Sequence, residues 1–257
     1  MKEIHAVYKR QGETPLECLG RFRVQFTLYK DEKMTYAGRL DPLAEGVIIF
    51  LSGQALYNKD IFLTLEKEYY VEVLCGFGTD TGDVLGLVEK KSDMPIIIPS
   101  ATVLNDMVQK ETGIKFRPYP AYSSKTVGGK TLFSLAREGL LPSKIPERVS
   151  EIAHIEYVAK RNVNSEQLLR EITERVSLVS GDFRQEAILA RWNVIGNETD
   201  KTIAYPVVTF KVRCGGGVYM RTLAESIGLL LDCPALAFKI TRTKVGDYSI
   251  ENSVRIS

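Results

Sequence analysis

The chain has 257 residues, of which 44% are hydrophobic and 26% charged, with a formal net charge of +2. That is enough for a real core in one large or two small domains. A charge this close to balance neither demands nor excludes nucleic acid, so a phosphate-binding face has to come from local clustering. No apolar run reaches membrane-span length, Met1-Lys2-Glu3-Ile4-His5 has no signal-peptide plan, and the four cysteines form no C-x-x-C pair. A soluble cytoplasmic protein with buried thiols and no zinc site is expected.

In chain order, Ile4-His5-Ala6-Val7-Tyr8 reads as a strand, and a turn from Lys9 to Pro15 leads into a helix through Leu16, Leu19, Phe22 and Phe26. Next comes Gly38-Arg39-Leu40-Asp41-Pro42-Leu43-Ala44-Glu45-Gly46-Val47. Pro42 suits the first position of a short helix, which leaves Asp41 as its N-cap, and Val47 to Leu51 reads as a buried strand. Taken alone, an Asp-Pro is usually no more than a cap.

A strand is expected from Tyr70 to Cys75, and the stretch Gly78-Thr79-Asp80-Thr81-Gly82-Asp83-Val84-Leu85-Gly86 reads as a tight polar hairpin. Ser100 caps a helix whose apolar face is Val103, Leu104, Met107 and Val108, stopped by Gly113. A strand is expected over 149–159. Two helices follow, one through Leu168, Leu169, Ile172, Val176 and Val179, the other through Phe183, Ile188, Leu189 and Trp192 after the Gly181-Asp182 break. The strand Val207 to Cys214 runs into Gly215-Gly216-Gly217, and a helix beginning near Tyr219 places Arg221 in its first turn. A P-loop reading fails because no Gly-Lys-Ser/Thr follows.

The aspartate segment resembles G-x-L-D-P-x-A-x-G of pseudouridine synthases, and the TruB family above all. Five further motifs extend the resemblance in the right order. Lys67-x-Tyr69 matches K-x-Y, and Thr79 to Gly86 matches T-D-T-x-D-x-x-G. Pro120, Tyr122 and Ser123 match P-x-Y-S, with Lys125 one place earlier than the family's lysine. Gly217 to Gly228 matches G-x-Y-I-R-T-L-x-x-D-L-G, and the segment Ile240 to Gly246 resembles L-R-R-T-x-V-G with Ile240 for leucine and Thr241 for the first arginine. The match covers roughly 5–160 and 205–250 and fails from about 161 to 200.

The resemblance implies an α+β pseudouridine synthase fold: a mixed, mostly antiparallel central sheet flanked by helices, in one catalytic domain over 1–257. Within it, 116–145 is expected to form a loop closing over the RNA, and 161–200 a helical insertion, read as structural decoration ahead of the alternative that it extends the RNA surface. A short form without the small RNA-binding PUA domain that many bacterial relatives carry at the C-terminus is expected.

By the same analogy the catalytic residues are Asp41, Tyr69 and Arg221. Breaking an N-glycosidic bond calls for an ionised carboxylate at the ribose or base, a guanidinium that keeps it charged when buried, and a flat partner for the loose uracil. Ile240 is expected as the apolar floor. Tyr36, Arg39, Asp80, Tyr122, Lys125, Lys130, Tyr219 and Arg242 are expected to bind substrate. Tyr36 stands where the family usually has histidine, and a tyrosine can stack on bases too. Lys125, Lys130 and Arg137 could equally form an ordinary solvated face.

No metal or cofactor is implied, since the isomerisation involves neither redox change nor group transfer. The implied partner is transfer RNA, through its T arm, with no membrane, no required protein partner and a monomeric enzyme. Two alternatives stay open: another RNA such as ribosomal RNA, whose synthases share the Gly-Arg-Leu-Asp form, and a non-catalytic chaperone of transfer RNA folding.

Overall fold

Strands from both ends of the chain meet in one sheet, because the longest apolar runs are also the β-branched ones. A computed structural model describes residues 2–198 and 203–256. In its first half are β1 (Ile4–Lys9), α1 (Pro15–Gln25), β2 (Met34–Ala37), β3 (Ala44–Ser52), α2 (Lys59–Thr64), β4 (Lys67–Cys75), β5 (Phe77–Thr79), β6 (Val88–Lys91) and α3 (Ala101–Val108). The second half holds β7 (Gly113–Pro118), β8 (Thr126–Val127), β9 (Lys130–Thr131), α4 (Leu132–Arg137), β10 (Glu147–Asn164), α5 (Ser165–Ser177), α6 (Gln185–Glu198), β11 (Ala204–Cys214), α7 (Met220–Leu230), β12 (Ala235–Val245) and β13 (Tyr248–Ser249).

The main sheet runs β1-β3-β12-β4-β11-β10-β7, with β2 added to β3 and β13 to β12. Its pairs are antiparallel except β3 with β12, which makes it mixed as expected. The parallel contact brings β12 so close that a Cβ on Gly46 would lie 2.1 Å from the Arg242 carbonyl oxygen, and Gly46 has φ +114. Only glycine fits there.

Side-chain alternation puts a core on each face. Val71, Val73, Val208, Phe210 and Val212 pack under α3 and α7, while Leu74, Val207, Leu236 and Phe238 pack under α5 and α6. The inserted helices therefore cover one end of that face of the central strands, with Trp192 buried among them, while Tyr70 and Arg213 at its other end stay exposed. α1 closes the β1–β3 end through Cys18, Leu19 and Phe22. No helix among the described residues is long and apolar enough to cross a membrane.

Several expected boundaries shift. The strand expected over 149–159 spans Glu147–Asn164, because its pairing with β11 continues past the apolar stretch through polar residues up to Asn164↔Ala204. Phe26 lies beyond the end of α1 and Leu16 is exposed, so the apolar face of that helix is Cys18, Leu19 and Phe22 instead. Phe183 precedes α6, and Val179 follows α5. The segment 116–145 is no bare loop: its first residues complete the edge strand β7, and it then carries the β8–β9 hairpin and α4. Of the segment 161–200, residues 199 and 200 lie outside the described residues, as do Met1 and Ser257.

Candidate active site

Asp41 sits in the turn joining β2 to β3, and it is not a helix cap. Residues 41–44 form a tight turn closed by the Ala44 N–H donating to the Asp41 carbonyl at 3.0 Å. Pro42 supplies a turn φ rather than a helix start, because Ala44 already belongs to β3 and leaves no length for a helix. The carboxylate is thus free to face the cleft.

Two buried cations pin this turn from below. Lys9 Nζ donates to Ala44 O at 2.7 Å and Pro42 O at 3.2 Å, and burial lowers its pKa to about 8. Arg242 is 1% exposed and donates to Val47 O at 2.7 Å, Gly38 O at 3.1 Å and Arg39 O at 3.3 Å. Arg242 lines the cleft, but its donors are on these carbonyls. The structure therefore makes it a holder of the aspartate turn, where a substrate contact was expected.

Above the turn, Arg221 projects from the first turn of α7. Its Nε donates to Asp41 Oδ2 at 2.8 Å and its NH2 group to Asp41 Oδ1 at 3.1 Å. NH1 donates to Thr81 O at 2.8 Å, NH2 also reaches Tyr122 O at 3.1 Å, and Asp83 Oδ2 lies 3.9 Å from Nε. Burial works against the guanidinium charge, but Asp41 and Asp83 outweigh it and hold the Arg221 pKa above its ordinary value. Burial is also the main reason the Asp83 carboxyl rises to about 6, and Asp41 adds to it.

Tyr69, on β4 opposite Arg242, is buried, which raises its phenol pKa. Together with Ile240 it lines the same cleft, of about 1060 Å³. Tyr36, Arg39, Tyr122 and Tyr219 also line it. Asp80 is not in the wall; it accepts from Tyr122 Oη at 3.0 Å and from Arg184 at 2.7 Å. Lys125 and Lys130 fall outside the wall. Lys125 lies over the Tyr119 ring at 5.4 Å, and Lys130 is ion-paired with Glu138 at 2.6 Å.

Sequence reasoning missed four contributors. Asp83 was hidden inside an apparent hairpin motif. Ser123 is 5% exposed in the cleft wall, and its hydroxyl has no hydrogen-bond partner among the described residues. Arg148, at the start of β10, lines the cleft with its guanidinium 5.6 Å from the Tyr119 ring. Finally Asp182, Phe183 and Arg184, from the loop between α5 and α6, form part of the wall. The insertion is more than decoration, although nothing in its helical periodicity could have shown that.

The mixed sheet carries a carboxylate and a buried guanidinium paired beside its β3–β12 junction, and likeness to known proteins places this arrangement among the pseudouridine synthases. Solved structures with the same fold include a Cbf5-Nop10-Gar1 complex, at TM-score 0.59 and 17% identity over 99% of this chain, and an H/ACA RNP bound to a substrate RNA containing 2'-deoxyuridine, at TM-score 0.55 and 16% identity over 98%. The chain spans about half the length of each of those chains, 52% and 50%. Residues 27–181 match the family model for the TruB family pseudouridylate synthase, N terminal domain, and the chain belongs to that family. Similar proteins named tRNA pseudouridine synthase B occur in Limosilactobacillus reuteri (25% identical, covering 100% of this chain and 71% of the relative), Protochlamydia amoebophila (27%, 98% and 77%) and Ligilactobacillus salivarius (29%, 97% and 69%).

Proposed function

We propose that this pseudouridine synthase acts on transfer RNA in the cytoplasm and isomerises a uridine of the T arm, with Asp41 as nucleophile. The observation that carries the reading is the two-point Arg221–Asp41 pair at the floor of a cleft large enough for a nucleotide and lined by Tyr69 and Ile240. The names of the relatives support transfer RNA as substrate.

In this reading the uridine leaves the RNA stack, at a cost of about a few kcal/mol, and enters the cleft. The Asp41 carboxylate attacks the ribose or the base, and the bond between N1 of uracil and the ribose breaks. The uracil turns against Tyr69, C5 bonds to the ribose as the bond to Asp41 breaks and frees the carboxylate, and the proton lost from C5 is matched by the one N1 gains, with the Tyr69 phenol positioned to take it from C5. Atoms and charge balance without oxidant, reductant or co-reactant. Arg221 orients the Asp41 carboxylate through its two-point hydrogen bond.

The test is single-turnover pseudouridine formation on an unmodified transfer RNA transcript by wild type and Asp41→Asn. The expected result is conversion of the T-arm uridine by wild type, and binding without conversion by the variant. Binding by both with conversion by neither would overturn the transfer RNA enzyme reading in favour of another RNA or a chaperone role.

A further inference from the structure

The stretch between β10 and β11 is where the sequence leaves the family pattern, and it is also where the fold does something helix packing does not require. α5 and α6 cover the sheet through Leu168, Ile172, Ile188 and Trp192. Their connecting loop, residues 178–184, keeps Val179 in that core and Phe183 against it, while its polar side chains are tethered on three sides of the cleft.

On the first side, Ser180 Oγ meets the Glu17 carboxylate of α1, and Leu178 packs so tightly on Gly12 that an added Cβ there would lie 2.6 Å from the Leu178 Cβ. On the second, Asp182 Oδ2 accepts from Arg137 NH2 of α4 at 2.5 Å. On the third, Arg184 NH1 donates to Asp80 Oδ2 at 2.7 Å, and its guanidinium lies 5.0 Å from the Tyr122 ring centroid. Arg184 has φ +63, a conformation that non-glycine residues seldom adopt.

The third tether leads to the reactive pair. Asp80 Oδ2 accepts from both Arg184 and Tyr122 Oη, and Asp80 Oδ1 accepts from the Leu87 N–H, so the carboxylate is held by two side chains and one backbone N–H. The Tyr122 carbonyl in turn accepts from Arg221, the residue that grips Asp41. From the inserted loop to the carboxylate every link is a hydrogen bond or an ion pair.

We infer that Arg184 is a positioning residue for the Asp41–Arg221 pair, and that loop 178–184 is a clasp holding the segment 119–137 against the cleft. This rests on the reading given under Proposed function for its catalytic consequence, though not for the clasp itself. The clasp orders Tyr122 and Arg137 before RNA arrives, so the carbonyl that braces Arg221 is already in place. Without it the segment keeps its own hairpin and short helix, the Tyr122 Oη bond to Asp80 and the Tyr119 N–H bond to the Pro146 carbonyl, and a shift of the Tyr122 carbonyl frees one side of the guanidinium fork.

The test compares wild type with Arg184→Gln and with the double variant Arg184→Gln, Asp182→Asn, both of which leave α5 and α6 packed. Hydrogen–deuterium exchange on the free protein reads the clasp directly: amides of 123–137 exchange about tenfold faster or more in the double variant, while those of β4 and β11 do not change. On the transcript, Arg184→Gln lowers the single-turnover rate by roughly tenfold to a hundredfold, the scale of a misplacement near 1 Å, with RNA affinity and thermal midpoint nearly unchanged. A residue that merely stabilised the fold would move the midpoint instead. Unaltered exchange at 123–137, or a wild-type rate in Arg184→Gln, overturns the inference. If wild type itself does not convert the transcript, the functional reading fails, and the exchange result alone still decides the clasp.

Discussion

Arg221 grips Asp41 at two points, Nε on Oδ2 at 2.8 Å and NH2 on Oδ1 at 3.1 Å, while its other N–H groups hold the Thr81 and Tyr122 carbonyls. A lysine could place one charge near Asp41, but it lacks the planar fork that orients the carboxylate and ties it to two further segments. Arg221→Lys should therefore fold and bind RNA, yet lose about 10²–10³ in the single-turnover rate, the usual cost of removing one well-aimed charged donor. A rate within about threefold of wild type would sink the orienting role.

Asp83 gives a prediction in pH. Its pKa rises from 3.8 in the unfolded chain to about 6 when folded. Between those values the folded state holds a proton that the unfolded state has released, so Asp83 makes stability fall as pH rises from about 4 to 6, then level off. The effect is bounded at about 3 kcal/mol, at roughly 1.4 kcal/mol per unit. Other carboxyls titrate too, among them Glu225, also raised by burial, and Glu45, lowered despite burial by Lys239. The measurement is therefore the wild-type minus Asp83→Asn difference in thermal midpoint at pH 4.5 and 7. The Asn variant should gain on wild type as pH rises. A difference independent of pH would show that Asp83 does not titrate in this window.

How much of this was legible beforehand follows the physics. Asp41, Tyr69 and Arg221 were readable because each lies in a short ordered string, and the fold does bring Tyr69, Asp41 and Arg221 to one cleft. The strands were readable where β-branched runs are buried on both faces, as in Val47 to Leu51. The polar end of β10 was not, since only its ladder with β11 makes it a strand. Arg242 was expected only as a substrate contact, because an arginine in a motif looks the same whether it faces substrate or three carbonyls. Arg184 was invisible, because its role depends on Asp80, 104 residues away.

Arg242 supports the site by a mechanism that differs from binding. Its buried fork satisfies the carbonyls of Gly38, Arg39 and Val47, which enter and leave the aspartate turn. Arg242→Met removes those donors and leaves buried acceptors unpaired, with an expected cost of about 3–5 kcal/mol. For a chain of this size that lowers the thermal midpoint by on the order of 10 °C. Lys130→Ala, which breaks only an exposed pair with Glu138, should change stability by less than about 0.5 kcal/mol. Equal, small effects of the two substitutions would contradict the assignment of Arg242 to the turn.

Ser123 separates stability from activity. Its hydroxyl is buried in the cleft wall without a partner, next to Tyr122, whose carbonyl braces Arg221. An unpaired buried hydroxyl costs the folded state about 1–3 kcal/mol, so Ser123→Ala should leave the thermal midpoint unchanged or raise it. If the hydroxyl finds its partner on the bound nucleotide, the same change removes a hydrogen bond worth about 0.5–1.5 kcal/mol, and kcat/KM falls by roughly threefold to tenfold. Opposite signs in the two measurements identify a group kept for substrate. A fall in both means that Ser123 is part of the packing of the 119–137 segment, and a change in neither leaves its hydroxyl without a role in the reaction.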